Sequence, residues 1–563
     1  MGRYRAVLIA AAAASAAFLA VFFLWPLVAI VWRGIAPDGV PAPDAILDAL
    51  GRPRTLRIIG LTLGQAAIGS LASVLLGLAP AYALYRLRFR GRGVLRALAI
   101  VPFVLPTVVV GVAFKVLFAG TALDGSWWAI VLALVFFNVP VVIRTVGGAW
   151  EDLDPQLEDA AADLGARPAA VFLRVTLPRL LPSIAAAAII VFLYCTTAFG
   201  VVLVLGGTRY GTVETEIWQR TTQYLDLPGA SALSIVQGVF VVLVLLAAAA
   251  VRVRPELRAP ATARGPRRGD LAVLLVAAGV GVLLAVPVVA LAARSFRAGE
   301  DWSWTNWAGL VDPSRFAGLG TSPLAALGHS LGFALGGTAI AMLLGLAVSV
   351  LLSRRPAGIA GRRLRGLAEG AFMLPLGVSA VTLGFGFLVA LDRPPLDLRS
   401  SPLLIPIAQG LVAAPLVIRT LLPALRGTDP LLRDAAADLG ASPLRALAVV
   451  ELGMARRALA AAGGLAFAVC LGEFGATSFL SRPELTTLPV LVGRLAGRPG
   501  PGGIGAADAV AVVLALVVAA ALLLGELRPR RPATEPASGS RSPAASRMPG
   551  GTSTPPSSLV PRG

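Results

Sequence analysis

Residues 154–166 read Asp-Pro-Gln-Leu-Glu-Asp-Ala-Ala-Ala-Asp-Leu-Gly-Ala, and residues 429–441, 275 positions later, read Asp-Pro-Leu-Leu-Arg-Asp-Ala-Ala-Ala-Asp-Leu-Gly-Ala. Each block begins with an aspartate that can cap a helix and a proline that suits the first helical turn. Each also carries a glycine where a helix ends. We therefore predict two short polar helices, at 154–165 and 429–440, between apolar segments. Two such helices indicate docking points for a soluble partner.

The composition is typical of a membrane protein. Hydrophobic residues make up 57% of the chain and charged residues 14%, against about 25% charged residues in soluble domains. The mean hydropathy is +0.81. Cys195 and Cys470, the only cysteines, lie in apolar runs and are interpreted as packing residues. The net charge of +19 comes from arginines in short loops, which favours a lipid bilayer as the surroundings and no nucleic-acid partner.

Twelve apolar stretches have roughly the length needed to span a bilayer. They predict an all-α polytopic membrane protein with about 12 transmembrane helices, located in the cell (inner) membrane. The stretches lie near 6–32, 57–85, 97–118, 127–147, 179–205, 232–251, 271–293, 327–353, 367–391, 403–425, 456–480 and 506–526.

Arginine-rich loops follow the second, sixth, eighth and twelfth stretches, for example Arg86, Arg88 and Arg90 after the second. All of these loops fall on one side, which the positive-inside rule assigns to the cytoplasm. We expect both polar helices and both termini on that side. Residues 532–563 are rich in Pro, Ser, Gly and Thr and are expected to be a disordered tail, ending in what resembles a thrombin-cleaved tag remnant.

The repeat extends beyond the two polar helices. Pro140 to Thr145 matches Pro415 to Thr420, Cys195 matches Cys470, and Phe199-Gly200 matches Phe474-Gly475, all at the same offset of 275. We predict a first half at 1–252, a cytoplasmic linker at 253–270 and a second half at 271–531. Six spans in each half give two parallel six-helix repeats, with a pathway expected between them.

The polar blocks resemble the EAA loop of permeases from binding-protein-dependent ABC importers. In both copies Asp stands for the family's Glu, and Gly453 replaces the final proline of the second copy. The resemblance implies the ABC type I importer permease fold, with two halves fused in one chain. It also implies two cytoplasmic ABC ATPase subunits and an extracytoplasmic substrate-binding protein as partners. The residues carried over as ATPase-coupling residues are Asp159, Ala160, Ala161, Gly165, Asp434, Ala435, Ala436 and Gly440.

The chain has no Gly-x-x-x-x-Gly-Lys-[Ser/Thr] phosphate loop, and its only lysine is Lys115 in the third span. We therefore expect no enzymatic activity and no cofactor in this chain. ATP and Mg would be bound by the partner ATPase.

Within this family the chain resembles the thiamine and ferric-iron importer permeases, through residues 205–218 and 471–489. Glu473 is predicted well inside the eleventh span, and with Tyr194, Phe199 and Phe474 it would suit an organic cation by charge and cation–π contact. Thiamine or its phosphates is the first predicted cargo and ferric iron the second. Two alternatives remain open. Glu473 could pair with Lys115 or a backbone group, and the chain could be an ion-driven secondary transporter.

Two further features bear on the pathway. Arg144 and Arg419 lie near the cytoplasmic ends of the fourth and tenth spans and are interpreted as anchors or partners of loop carboxylates. The segments 206–231 and 481–505 are predicted outer loops that would receive the binding protein.

Overall fold

The computed structural model describes residues 2–36, 40, 44, 48, 50–207, 209–251, 263–299, 301–354, 358–392, 396–498 and 501–526. In this part of the chain almost all regular structure is helical. The exception is a two-stranded antiparallel hairpin, Arg297–Ala298 with Asp301–Trp302. The predicted tail at 532–563 and most of the predicted linker lie outside the described residues.

In the first half the α-helices are Gly2–Leu19, Trp25–Ile35, Pro53–Arg86, Arg92–Leu98, Val101–Val104, Thr107–Phe118, Trp127–Asp152, Pro155–Asp163, Pro168–Val171, Leu177–Thr196, Gly200–Leu205, Val213–Thr222 and Leu227–Ala250. In the second they are Leu271–Ser295, Thr305–Ala308, Pro323–Ser353, Gly358–Gly377, Ala380–Ala390, Leu404–Arg426, Pro430–Asp438, Pro443–Ala446, Leu452–Met454, Arg456–Gly472, Thr477–Leu480, Leu488–Ala496 and Pro501–Glu526. Single π-helical turns occur at Ala20–Leu24, Phe172–Thr176 and Leu447–Glu451, and 3-10 turns at Arg268–Asp270, Gly309–Val311 and Pro313–Leu319.

Nine helices among the described residues are long and apolar enough to cross a membrane, and three bent pairs raise the number to twelve. The all-α membrane fold is thus confirmed. The predicted third and ninth spans, however, are not straight helices. Arg92–Val104 meets Thr107–Phe118 at 96°, and Gly358–Pro375 meets Ala380–Ala390 at 91°. Pro106 follows an extended Leu105 at the first bend, and Ser379 caps a new helix at the second, so both breaks have local causes.

The predicted spans at 179–205 and 456–480 are also interrupted, because helix ends at Thr196 and at Gly472. The chain then turns at Phe199-Gly200 and Phe474-Gly475. A Cβ on Gly200 would lie 3.0 Å from the Val108 nitrogen, and a Cβ on Gly475 would lie 2.9 Å from the Ala380 Cβ. These glycines allow the chain to turn against the start of another helix.

Corresponding close contacts hold the longest helices together in each half. A Cβ on Gly69 would lie 3.2 Å from the sulfur of Cys195, and one on Gly337 would lie 3.1 Å from that of Cys470. Both cysteines are fully buried, so their predicted packing role is confirmed. Small residues at such crossings bring helices close together, which is how helices associate in lipid.

The first span of each predicted half packs against helices of the other predicted half. Trp25–Ile35 contacts Ala380–Ala390, whereas Leu271–Ser295 contacts Pro53–Arg86 and Thr107–Phe118. Each of the two repeated segments therefore contributes a helix that packs among the helices of the other.

Candidate functional site

The first polar helix, Pro155–Asp163, has the ends that its sequence predicts. The Asp154 carboxylate accepts a hydrogen bond from the Gln156 amide at 3.0 Å. Gly165 has φ of +84° and donates its amide to the Ala162 carbonyl, and the Ala166 amide bonds to the Ala161 carbonyl. This is the glycine-terminated geometry that satisfies the last carbonyls of a helix.

The second polar helix, Pro430–Asp438, repeats these features. Asp429 accepts from the Leu431 amide at 3.0 Å, and Gly440 has φ of +79°. A Cβ on Gly165 or Gly440 would meet nothing within 4 Å. Both glycines are therefore required by backbone conformation, not by lack of space.

Neither polar helix buries any of its residues. Asp159, Ala160, Asp434 and Ala435 are exposed, and Ala161 and Ala436 are half-buried, so the predicted coupling residues form an accessible face. Sequence reasoning missed the most exposed apolar side chains of this surface, which are Leu164 and Leu439 at 90% and 89% exposure. An apolar residue directly before the terminal glycine of a polar helix was the available signal.

Phe199 and Phe474, both predicted pathway residues, are brought together by the fold. Their rings are stacked with centroids 5.3 Å apart and planes 22° apart, and both side chains are buried. Because the two residues correspond in the sequence repeat, the stacked rings join the two predicted halves.

Glu473 lies at a break in the helical structure, which corrects the prediction of a continuous helix across the eleventh span. The helix before it ends at Gly472, and Glu473 occupies its C-cap position. One carboxylate oxygen accepts from the Ala476 amide at 2.7 Å and the other from the Thr477 amide at 3.0 Å. Lys115 donates instead to the Ala496 carbonyl at 2.9 Å. The backbone alternative for Glu473 is therefore confirmed, and the carboxylate holds the turn before Thr477–Leu480.

Further contacts close the same end of the interface, away from the polar helices. Ser379 donates to the carboxylate of Glu214 at 2.8 Å across the two halves. Glu214 is fully buried, and burial raises its pKa to about 8. Neighbouring Glu216 is neutralised by Arg54 and Arg220, each at 3.0 Å. Sequence reasoning missed the contacts of Glu214 with Ser379 and of Glu216 with Arg54 because these partners are distant along the chain.

The two segments predicted to receive the binding protein are largely buried. Val213–Thr222 lies in the first and Leu488–Ala496 in the second, and each helix packs into the bundle. Tyr224 and Leu225 remain exposed, at 59% and 75%. Both segments thus combine a buried helix with exposed residues, and their contact with a binding protein stays a prediction.

A cavity of about 520 Å³ lies at the opposite end of the interface from the Phe199–Phe474 pair, beside the segment that leads to Pro430–Asp438. Leu193 of the first half lines it together with Glu369, Arg419 and Arg426 of the second. Arg426 is paired with Glu369 at 2.8 Å, which leaves Arg419 as a further cation on the wall. Tyr194 follows the cavity residue Leu193 in the chain, and its described ring contact is with Phe103, at 5.8 Å between centroids, rather than with the phenylalanine pair.

Comparison with known proteins matches residues 73–258 to the family described as "Binding-protein-dependent transport system inner membrane component". The sulfate transport system permease protein CysT of Escherichia coli (strain K12) is 32% identical over 232 residues, covering 38% of this chain and 82% of that protein. The molybdenum transport system permease protein ModB of Mycobacterium tuberculosis (strain ATCC 25618 / H37Rv) is 35% identical over 242 residues, covering 40% and 88%.

The molybdate/tungstate transport system permease protein WtpB of Pyrococcus abyssi (strain GE5 / Orsay) is 31% identical over 193 residues, covering 34% of this chain and 75% of that protein. These similarities rule out the alternative of an ion-driven secondary transporter. The chain belongs to the family of inner membrane permease components of binding-protein-dependent, type I ABC importers.

Proposed function

We propose that this permease carries a tetrahedral oxyanion of the sulfate or molybdate class, delivered by a substrate-binding protein, along the interface between its halves. ATPase subunits docked on Pro155–Asp163 and Pro430–Asp438 would drive alternate opening of the two ends. The observation that carries the coupling part is the pair of capped, unburied helices with exposed Leu164 and Leu439. Two equivalent helices fit two ATPase subunits.

We also propose that the chain is two permease halves in one polypeptide, with boundaries near 1–252 and 271–531. The relatives support this, because CysT and ModB are matched over 82% and 88% of their own length by only 38% and 40% of this chain. The matched contacts of Gly69 with Cys195 and of Gly337 with Cys470 add structural support.

The two ends of the interface would face opposite sides of the membrane. We assign the cavity end and both polar helices to the cytoplasm, following the distribution of arginines, and with them both termini. A membrane-impermeant maleimide tests this through Leu164→Cys. Labelling only in inside-out vesicles supports the assignment, and labelling in intact cells would overturn it.

The charges along the interface favour an anion as cargo. Arg419 lines the cavity, and the described residues place no carboxylate in an ion pair with it. The acids at the closed end carry little free charge, since Glu216 is paired twice and Glu473 is held by backbone amides. The relatives are named for sulfate and molybdate transport, which agrees with this chemistry.

Thiamine is the second candidate cargo and ferric iron the third. The resemblance within residues 205–218 favours them, but the cation–π argument loses its basis because Glu473 is already engaged. The test is ATPase stimulation of the complete importer, with its cognate binding protein and either sulfate, molybdate, thiamine or ferric ion. Stimulation by an oxyanion is expected, and stimulation by thiamine or ferric ion alone would overturn the proposal.

A further inference from the structure

Glu158 attaches the first polar helix to the rest of the bundle. Its carboxylate pairs with Arg86, the last residue of Pro53–Arg86, and also accepts a hydrogen bond from the Thr176 hydroxyl at 2.8 Å. Arg86 additionally donates to the Leu153 carbonyl at 3.2 Å. One carboxylate therefore joins the end of the second span, the polar helix and the turn that leads into the fifth span. We call Arg86, Glu158 and Thr176 the first node.

The second polar helix has a node at the same place with a different chemistry. Glu451 lies in the turn after the helix, and one of its oxygens is 2.9 Å from Arg354 and 3.1 Å from Arg433. Arg354 directly follows the Pro323–Ser353 helix, and Arg433 lies on the polar helix itself. We call Arg354, Arg433 and Glu451 the second node.

The two nodes occupy equivalent positions with their charges exchanged. Glu158 corresponds to Arg433 and Thr176 to Glu451, both at the offset of 275. Arg86 corresponds to Arg354, because residues 75–79 recur unchanged as 343–347. The acid of the first node, Glu158, lies on the polar helix, whereas the acid of the second, Glu451, lies in the facing turn. Arg433 occupies the position on the second polar helix that corresponds to Glu158. Attraction between the two elements is therefore present in both halves although the residues differ.

Exposed ion pairs contribute little to stability, so the burial of these groups matters. The Arg86 side chain is 11% exposed and that of Glu451 only 3%, and their partners on the otherwise unburied polar helices, Glu158 and Arg433, are each 28% exposed. A charge left without its partner at such a position is strongly unfavourable. Each polar helix is thus held by its node more than by apolar burial.

We propose that the two nodes are the joints through which movement of the polar helices reaches the ends of the second and fifth spans of each half, and that the pairing of charges, not the identity of the residues, is what they require. The inference rests on the proposed docking of ATPase subunits to these helices. The node residues are positioning residues, since they act through the helices and not on the cargo.

The exchange between the halves supplies a direct test. Glu158→Arg places two arginines together without an acid, whereas Glu158→Arg with Thr176→Glu rebuilds the first node in the form of the second. In the second half, Glu451→Thr breaks the node and Glu451→Thr with Arg433→Glu rebuilds it in the form of the first. If the first pair of variants does not fold, the second pair decides.

The readout does not depend on the cargo. The permease, with Leu374→Cys as a reporter in the cavity, is reconstituted in nanodiscs with its ATPase subunits and labelled with maleimide, with and without ATP and vanadate. Cys195 and Cys470 are fully buried and should stay unlabelled. We expect ATP and vanadate to protect the reporter in the parent. Broken nodes should lower this protection at least about fivefold, as expected for loss of coupling between sites, and rebuilt nodes should restore it.

The matched control is Asp312→Asn, which breaks an exposed ion pair with Arg315 in the part of the chain between Leu271–Ser295 and Pro323–Ser353. It should leave protection unchanged. Normal protection in the broken variants, or failure of folded, ATPase-bound rebuilt variants to recover, would overturn the inference. Failure of the parent to retain ATPase subunits would instead overturn the proposed docking.

Discussion

Gly77 lies where the helices Pro53–Arg86 and Trp127–Asp152 cross. A Cβ at this position would be 2.7 Å from both Cβ and Cγ1 of Val142, and 3.5 Å from the Val139 carbonyl oxygen. Carbon atoms in contact are normally about 3.5–4.0 Å apart. Gly77→Ala must therefore push the two helices apart by about 1 Å, since Val142 is fully buried and has no free space to enter.

Overpacking of this kind destabilises by about 1–3 kcal/mol. Removing a glycine from a helix offsets about 0.5–1 kcal/mol of this. We expect a net loss of about 0.5–2 kcal/mol in the free energy of unfolding, measured by tryptophan fluorescence during thermal unfolding in detergent. The control is Gly60→Ala in the same helix, where a Cβ meets nothing within 4 Å, and its stability should be unchanged or raised.

Val142→Ala removes Cγ1, one of the two Val142 atoms with which the new methyl group collides, and leaves room for the smaller side chain to shift. The double variant Gly77→Ala/Val142→Ala should therefore be more stable than the sum of the single changes, by at least about 1 kcal/mol. Gly345 with Val417 offers the same cycle in the second half, because the corresponding Cβ distance is also 2.7 Å. Additive losses, or a Gly77→Ala variant as stable as Gly60→Ala, would refute the packing argument.

Three further predictions follow from the site. Leu164→Ser with Leu439→Ser should weaken binding of the ATPase subunits by about 1.5–3 kcal/mol per leucine buried on docking, measured as Kd on nanodiscs; a Kd equal to that of the control Leu364→Ser would contradict it. Phe199→Ala and Phe474→Ala should each lower the free energy of unfolding by about 3–5 kcal/mol. The double variant should lose less than the sum of the two single losses, because the rings stack on each other. Thermal unfolding of the three variants measures this, and strictly additive losses would contradict it. Burial raises the pKa of Glu214 from 4.5 to about 8, so between these pH values the folded protein holds a proton that the unfolded chain has released. The free energy of unfolding should therefore fall as the pH rises from about 4.5 to about 8 and stay constant above pH 8. Glu214→Gln should flatten this pH dependence of the Tm, and an unchanged slope would exclude Glu214 as its source.

The local features of the polar helices could be read from sequence because their causes are local. A capping aspartate, a proline in the first turn and a glycine at positive φ lie within a dozen residues, and Asp154 and Gly165 act as predicted. The number of apolar stretches likewise indicated the membrane fold. The bends near Pro106 and Ser379 were missed, since apolar residues fill both sides of each bend and hydropathy does not change there.

Glu473 shows where the local pattern failed. An acid in an apolar run indicated a charge exposed to the pathway, but the chain turns at this residue and its amides bind both carboxylate oxygens. Its neighbour Phe474 was correctly selected, although its stacking on Phe199 depends on the approach of the two halves.

By itself, the sequence determined the membrane class, the repeated order of spans and the two capped polar helices, because hydropathy, caps and glycines act over a few residues. The tertiary structure decided which groups meet. It brought Phe199 onto Phe474 and placed Arg86 and Arg354 beside the polar helices. The difference between Glu158 and the corresponding Arg433 could be explained only from the tertiary structure, because an ion pair depends on distance in space and its partners lie far apart along the chain.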